Sequence, residues 1–288
     1  MSLGDPPGRH STREVIVNPI GGASSLSAEA ATDAGTTLFP PRDDWSGLAD
    51  VSGRLGVSLD ARALERFARY RALLLERSAQ FNLTAIRDPA EIEQRLFLDA
   101  IAMIPELDRL TGTPADRVDR AIRLVDIGAG AGFPGLVLKI VRPALDVTLI
   151  DATAKKVAFV NEVIAALELE HVRAVQGRAE ELGQDNRYRA RFDVATARAV
   201  ASLPVLLEYV VPFLTTGGTA LLPKGLEITE ELRLGRRAAA ILGAEIVSAE
   251  ELSLGRTRLV VARKISPTAS AYPRRVGIPS RDSLGERS

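Results

Sequence analysis

The residues best placed to do chemistry lie in one short stretch, Asp126-Ile127-Gly128-Ala129-Gly130-Ala131-Gly132-Phe133-Pro134-Gly135. It joins an apolar strand-like run, Leu124 to Ile127, to an apolar helix-like run, Pro134 to Val141. Glycines spaced this way allow a tight turn whose backbone a ligand can approach closely. Asp151 ends the next apolar run, Val147 to Ile150. A carboxylate there can accept hydrogen bonds from both hydroxyls of a ribose. The chemistry implied is the binding of a nucleotide-type cofactor at the carboxyl edge of a parallel sheet.

Two cofactors fit the spacing. Gly130-x-Gly132-x-x-Gly135 spells the dinucleotide fingerprint, with Asp151 at about the right distance for NAD. Gly128-x-Gly130-x-Gly132, with Asp126 two residues ahead, spells the turn that takes S-adenosylmethionine in class I methyltransferases. Pro134 weighs against a pyrophosphate, because it removes a backbone N–H at the helix start where a phosphate would seek donors. A tight turn with no ligand is the third reading, and so many glycines are costly without something to approach them. Other chemistries are excluded by composition. The 288 residues contain no cysteine, so disulfides, thiolate nucleophiles and Cys-ligated metals are out. His10 and His171 are the only histidines, too few for a histidine metal site or a Ser-His-Asp triad.

The elements that must position the turn can be read from periodicity. Residues 1–42 are rich in Gly, Pro, Ser and Thr without an apolar period, and read as a disordered, mildly acidic extension. Residues 43–115 read as a small helical cap. Asp60 caps a helix carrying Leu64, Phe67, Tyr70 and Leu74, and Asp88-Pro89 starts another carrying Ile92, Leu96, Leu98 and Met103. Residues 120–265 then alternate. Strands are expected at 124–127, 147–150, 172–175, 192–195 and 219–222, with helices at 134–141, 155–167, 203–214 and 227–242 between them. An antiparallel pair at 245–247 and 258–262 closes the series. This order predicts an α/β fold: a Rossmann-like, seven-stranded, mostly parallel sheet with helices on both faces and the helical cap in front. The last segment, 266–288, reads as a basic tail. The longest apolar stretch, Leu203 to Leu222, is interrupted by Pro204, Glu208, Pro212, Gly217 and Gly218, and the first dozen residues lack the apolar core of a signal peptide. A cytoplasmic protein with no membrane partner is expected.

Seven separated phrases, in order, resemble one family. They are Asn82-Leu83-Thr84-Ala85-Ile86, the glycine turn from Asp126 to Gly135, and the run from Asp151-Ala152-Thr153 through Phe159. Gly177-Arg178-Ala179-Glu180, Arg198-Ala199-Val200-Ala201, Pro223-Lys224-Gly225 and Tyr272-Pro273-Arg274-Arg275 complete the set. Over about three-quarters of its length the chain resembles the bacterial small-subunit rRNA methyltransferase G family (RsmG/GidB), class I enzymes that methylate guanine N7 in 16S rRNA. The resemblance implies S-adenosyl-L-methionine as cofactor and 16S rRNA, or the small ribosomal subunit, as partner. It places Gly128 and Gly130 along the methionine part of the cofactor, with Phe133 covering it from the turn. Asp151, Ala152 and Thr153 fall at the ribose and adenine, and Ala179 and Glu180 at the border of the adenine. Arg198 falls between cofactor and RNA as the catalytic candidate. The family's His-x-x-Asp-Ser phrase reads Leu96-Phe97-Leu98-Asp99-Ala100 here, so Asp99 is not counted among the site residues.

The composition suits that reaction. Guanine N7 owns an in-plane lone pair and needs no general base, so the missing His or Cys is a match. Cysteine-dependent C5 methylation is excluded. Holding the reactants in line can supply about 7–11 kcal/mol, and Arg198 is the residue expected to orient the guanine or its phosphate through a planar fork. Lys+Arg and Asp+Glu are each 37, so RNA binding must come from charge placement. From Arg256 to Ser288 there are eight Arg/Lys (Arg256, Arg258, Arg263, Lys264, Arg274, Arg275, Arg281, Arg287) against Asp282 and Glu286, a basic stretch fit for phosphates. No metal is expected, and the chain is expected to be a monomer. Two other functions remain open at this point: an NAD-binding oxidoreductase, and a non-catalytic RNA-binding protein on the same fold.

Overall fold

In a computed structural model of the chain, the described residues are Met1, 45–80, 83–112, 121–286. The expected disordered extension beyond Met1, the Asn82 that starts one phrase, residues 113–115 of the expected cap and Arg287 lie outside them. From Trp45 onward the described residues belong to one unit.

The chain opens with helices α1 (Ser46–Arg54) and α2 (Ala61–Ser78). Asp60 caps α2 as its sequence position predicts, accepting the Ala63 N–H at 2.7 Å. Asp88 does the same for Glu91 at α3 (Pro89–Glu91), with Pro89 in the first turn. A π-helical stretch, Ile92–Leu98, leads into α4 (Asp99–Ile101) and then α5 (Ile104–Thr111). Strands and helices then alternate: β1 (Arg123–Ile127), α6 (Gly135–Val141), β2 (Asp146–Asp151), α7 (Ala154–Ala166), β3 (Val172–Gln176), α8 (Ala179–Leu182), β4 (Phe192–Thr196), α9 (Leu203–Val210), β5 (Leu214–Lys224), α10 (Thr229–Leu242), β6 (Ala244–Glu251) and β7 (Arg258–Lys264). A final segment carries α11 (Ile278–Arg281) and a 3₁₀ turn, Leu284–Glu286.

The sheet has seven strands in the order β3-β2-β1-β4-β5-β7-β6. The first five are parallel, and β7 inserts antiparallel between β5 and β6. The seven-stranded, mostly parallel α/β sheet read from the sequence is therefore the one observed. Strand order reverses on either side of β1, and that switch point is where open α/β sheets hold their ligands.

Two apolar cores flank the sheet. On one face the cap's Trp45, Phe67, Tyr70, Leu74, Phe97 and Ile101 share a core with Leu136, Leu138, Phe159 and Val163 of α6 and α7. On the other, α9 and α10 pack Leu203, Leu206, Ala238 and Leu242 beneath Ile127, Ala195 and Leu222.

Two boundaries differ from the sequence reading. The helix expected at 203–214 stops at Val210 and passes through a 3₁₀ turn, Val211–Phe213, at Pro212. Strand β5 runs eleven residues, from Leu214, and takes up Gly217-Gly218 as an irregularity: Leu214 pairs with Phe192 but Thr219 already pairs with Val194. Position 218 favours glycine, because a Cβ there would sit 3.0 Å from the Asp193 and Thr215 carbonyls.

The expected basic tail is a strap folded onto the protein. Leu284 is buried among the residues of α9 and α10, and Thr268 Oγ1 donates to Leu242 O at 2.7 Å. Arg274 closes over Glu208, a fully buried carboxylate, with contacts of 2.7–3.2 Å. Lys264 is buried, donating to Val211 O and Leu214 O, and burial lowers its ammonium to about 8. Arg258 donates to Ala249 O and Arg281 to Gly277 O. Of the basic residues counted in this stretch, Arg263, Arg275 and Arg281 are exposed. Pro273, Pro279 and Leu284 are buried and anchor the segment, and charge counting alone cannot see that Arg258, Lys264 and Arg274 face the protein's own acceptors.

Candidate functional site

The glycine turn begins where β1 ends at the switch point. Gly128 N–H and Ala129 N–H both donate to Ile150 O, at 2.8 and 3.0 Å, folding the turn onto the end of β2. Gly128, Gly130 and Gly132 have φ of +68°, +60° and +101°, a region costly for residues with a Cβ. Their surroundings separate them. A Cβ on Gly132 would sit 2.5 Å from Leu136 Cδ1 and 2.7 Å from Tyr70 Oη. A Cβ on Gly130 would have only Gly128 O nearby, at 3.9 Å. Gly130 therefore faces open space and Gly132 faces the core.

This asymmetry bears on the cofactor. In the dinucleotide fingerprint the second glycine lets the pyrophosphate approach the backbone. That position here is Gly132, and it is sealed by Tyr70 and Leu136. The open position is Gly130, the middle glycine of the S-adenosylmethionine reading.

Asp151 sits at the end of β2, as expected, and is buried. Its Oδ2 accepts from Gly130 N at 3.0 Å and its Oδ1 from Thr153 N at 2.8 Å. A carboxylate has about four acceptor positions, so two remain after it has tied down the turn. Ala152 and Thr153 beside it are exposed. Behind the turn lies Asp126, wholly buried in the centre of the sheet. Its Oδ2 accepts from Gly135 N at 2.8 Å, satisfying a donor that the start of α6 leaves free, while Oδ1 has no partner. Burial pushes this carboxyl up to about 8, and the neighbouring Asp151 charge adds to the shift. Tyr70 donates to Ala131 O at 2.5 Å and holds the turn from the cap side. Burial raises its phenol well above the usual range, so the hydroxyl keeps its proton.

Two expected site residues point elsewhere. Phe133 is buried against Tyr70 (5.1 Å between ring centres, 8° between planes) and Phe97, so it supports the turn from within the aromatic cluster. Glu180 turns its Oε1 to Gly277 N–H at 3.1 Å and lines a cleft of about 500 Å³ with Gln184, Pro273 and Arg275 of the strap's surroundings. Ala179 is half-buried at the start of α8.

Arg198 follows β4 at the same sheet edge. Its Nη2 donates to Arg95 O and reaches Asp99 Oδ2 at 3.3 Å. Arg256, from the turn between β6 and β7, reaches Asp99 Oδ1 at 3.3 Å and donates to Gln94 O at 3.0 Å. Asp99 thus bridges two arginines from different loops. Burial raises its pKa although both guanidiniums oppose the shift, and burial lowers that of Arg198. Sequence reading set Asp99 aside because its neighbours departed from the expected phrase. Leu96 and Ala100 are core residues, which explains their apolar types, and Asp99 alone faces the arginines.

The loop after β4 has its own brace. Lys224, at the end of β5, donates to Ala201 O at 3.1 Å and pairs with Glu231 at 2.7 Å. Glu231 also accepts from Leu203 N at 2.8 Å. Glu231 was not read from the sequence as a site-supporting residue. His171 lies before β3, at the opposite end of the strands from the glycine turn. Among the described residues no helix is long and apolar enough to cross a membrane.

Comparison with known proteins adds three similarities. Residues 63–260 match the family described as rRNA small subunit methyltransferase G. A protein of Roseiflexus castenholzii named Ribosomal RNA small subunit methyltransferase G is 43% identical over 237 residues, covering 81% of this chain and 97% of that protein. One of the same name from Acetivibrio thermocellus is 40% identical over 241 residues, covering 82% of this chain and 95% of that protein.

Proposed function

Because the chain belongs to the rRNA small subunit methyltransferase G family, we propose that it methylates N7 of a guanine in 16S rRNA with S-adenosyl-L-methionine. The observation that carries the cofactor reading is the open Gly130 beside Asp151, with Gly132 closed to any ligand. When bound, the cofactor supplies an electrophilic methyl group on a sulfonium.

The chain's own residues bind and orient. Gly128 and Gly130 border the methionine part, Gly130 with its open face and Gly128 where Val200 of the loop after β4 lies 2.6 Å from the position of a Cβ. Asp151 offers its two remaining acceptor positions to the ribose hydroxyls, and Ala152, Thr153 and Ala179 border the adenosine. Phe133 and Glu180 act from behind, the first by stacking on Tyr70, the second by holding Gly277. Arg198 orients the guanine or an adjacent phosphate.

No proton has to be moved, because N7 presents its lone pair directly. The acids near the turn are already committed: Asp99 to two arginines, Asp126 to Gly135, Asp151 to the turn. None is free to serve as the base that methylation of an amine or hydroxyl would call for. N7 lies in the deep, narrow groove of A-form RNA, so the target guanine is unstacked or in a loop. The enzyme is read as a cytoplasmic monomer.

The test is transfer of isotopically labelled methyl from S-adenosyl-L-methionine to 16S rRNA, in 30S particles and as naked RNA, followed by nucleoside mass spectrometry. Label in 7-methylguanosine is the expected result. Label in any other nucleoside, or in none, would overturn the assignment.

A further inference from the structure

Arg198, Arg256 and Asp99 form a group whose charge and hydrogen bonding are both incomplete. Two guanidiniums share one carboxylate, each on a different oxygen at 3.3 Å. The nearby Arg95 has its own acid, Glu91, at 3.5 Å. The triad is left with one unit of positive charge. Each arginine uses Nη2 for its contacts, while Arg198 Nη1 and Arg256 Nε are buried with no acceptor. A buried charged donor left unmade is costly, and two of them, on arginines that share one carboxylate, point to an acceptor that arrives from outside. The carbonyls that anchor the arginines, Gln94 and Arg95, lie in the π-helical stretch, a wide turn of the kind that recurs at functional sites.

We propose that Arg198 and Arg256 form a two-arginine seat for a phosphodiester of the RNA strand, held open by Asp99. This rests on the rRNA methyltransferase reading and adds Arg256, on the hairpin after β6, as an RNA-binding residue and Asp99 as a positioning residue. A phosphodiester carries one negative charge and no cation of its own, so it balances the triad. The amino-acid end of the cofactor carries an ammonium beside its carboxylate and would leave the charge as it was. Planar guanidinium forks suit phosphate oxygens in geometry as well as charge. The seat joins the cap, the loop after β4 and the β6–β7 hairpin, so a strand lying there would be gripped from three elements beside the glycine turn.

The test is binding of 16S rRNA to the full chain at several KCl concentrations, with adenosylhomocysteine titrated separately by calorimetry. Arg256→Gln is expected to weaken RNA binding roughly tenfold and to reduce the slope of log affinity against log salt by about 0.7–0.9, the loss of one phosphate contact. Its affinity for adenosylhomocysteine should stay within about twofold of the parent's. Arg256→Lys keeps the charge, so the slope should be retained while affinity falls less. Should Arg256→Gln fold poorly, Arg256→Lys with a parental slope and reduced affinity still supports the seat. Unchanged RNA affinity and slope in Arg256→Gln would overturn it. So would a loss confined to adenosylhomocysteine, which would assign the anion to the cofactor's carboxylate. Failure of the parent protein to bind 16S rRNA at all would instead take down the functional reading itself, and the seat with it.

Discussion

Replacing Asp126 by Asn should change how stability depends on pH. Asp126 is fully buried, with one oxygen bonded to Gly135 N–H and the other unpartnered. Burial moves its carboxyl from 3.8 to about 8, so at neutral pH the folded protein holds a proton that the unfolded chain has released. Between about pH 4 and pH 8 the native state therefore binds one proton more than the unfolded state, and stability falls as pH rises by about 1.4 kcal/mol per pH unit. Asn has no proton to lose. Its oxygen can still accept from Gly135, while its amide takes the unpartnered position at a cost on the order of 1–3 kcal/mol at every pH. Asp126→Asn should thus gain on the parent steadily, by roughly 3 kcal/mol from pH 5 to pH 7.5. Contributions from all other groups cancel in the difference. Urea melts of both proteins at matched ionic strength across that interval would measure it. A stability difference that stays constant with pH would refute the reasoning, because it would mean that Asp126 has the same charge folded and unfolded.

Four further outcomes follow from the same geometry. Gly130→Ala meets no steric neighbour and should cost only about 1–2 kcal/mol of backbone strain, yet weaken adenosylhomocysteine binding at least roughly tenfold by calorimetry, because its methyl fills the open face of the turn. Gly132→Ala should do the reverse, costing several kcal/mol (on the order of 2–4) in a thermal or urea melt, since its Cβ is driven against Leu136 and Tyr70. Arg274→Ala strands the buried Glu208 carboxylate and should destabilise by about 3–5 kcal/mol in a urea melt. Tyr70→Phe removes the bond to Ala131 O and should cost about 1 kcal/mol in the same assay, with a few-fold loss of adenosylhomocysteine affinity as the turn loosens.

How much of this was legible in the sequence depended on the range of the interaction. Strand and helix order followed from apolar periodicity, and Asp60, Pro89, the glycine turn and Asp151 carried local signals with a direct backbone meaning. Which glycine faces a ligand could not be read, because Gly132 is closed by packing, from Leu136 and from the distant Tyr70, that spacing does not show. Asp99 was passed over because its neighbours Leu96 and Ala100 broke the expected phrase, although its partners Arg198 and Arg256 lie far along the chain. The strap was misread for the same reason. Arg274 and Lys264 look like RNA-facing cations until Glu208 and the carbonyls of Val211 and Leu214 appear beneath them. Strand β5 ran longer than its apolar core because Gly217-Gly218 signals an interruption locally, while Leu214 before the pair and Thr219 after it both join β4 across a bulge.

The most direct measurement is a crystal structure of the protein grown with adenosylhomocysteine. The expected density lies over Gly130 with the ribose hydroxyls on Asp151, and Gly132 remains packed against Tyr70 and Leu136. Density for the ligand at another place, or a turn that closes over Gly130 and leaves the ligand out, would contradict the assignment of this sheet edge as the methyl-donor site.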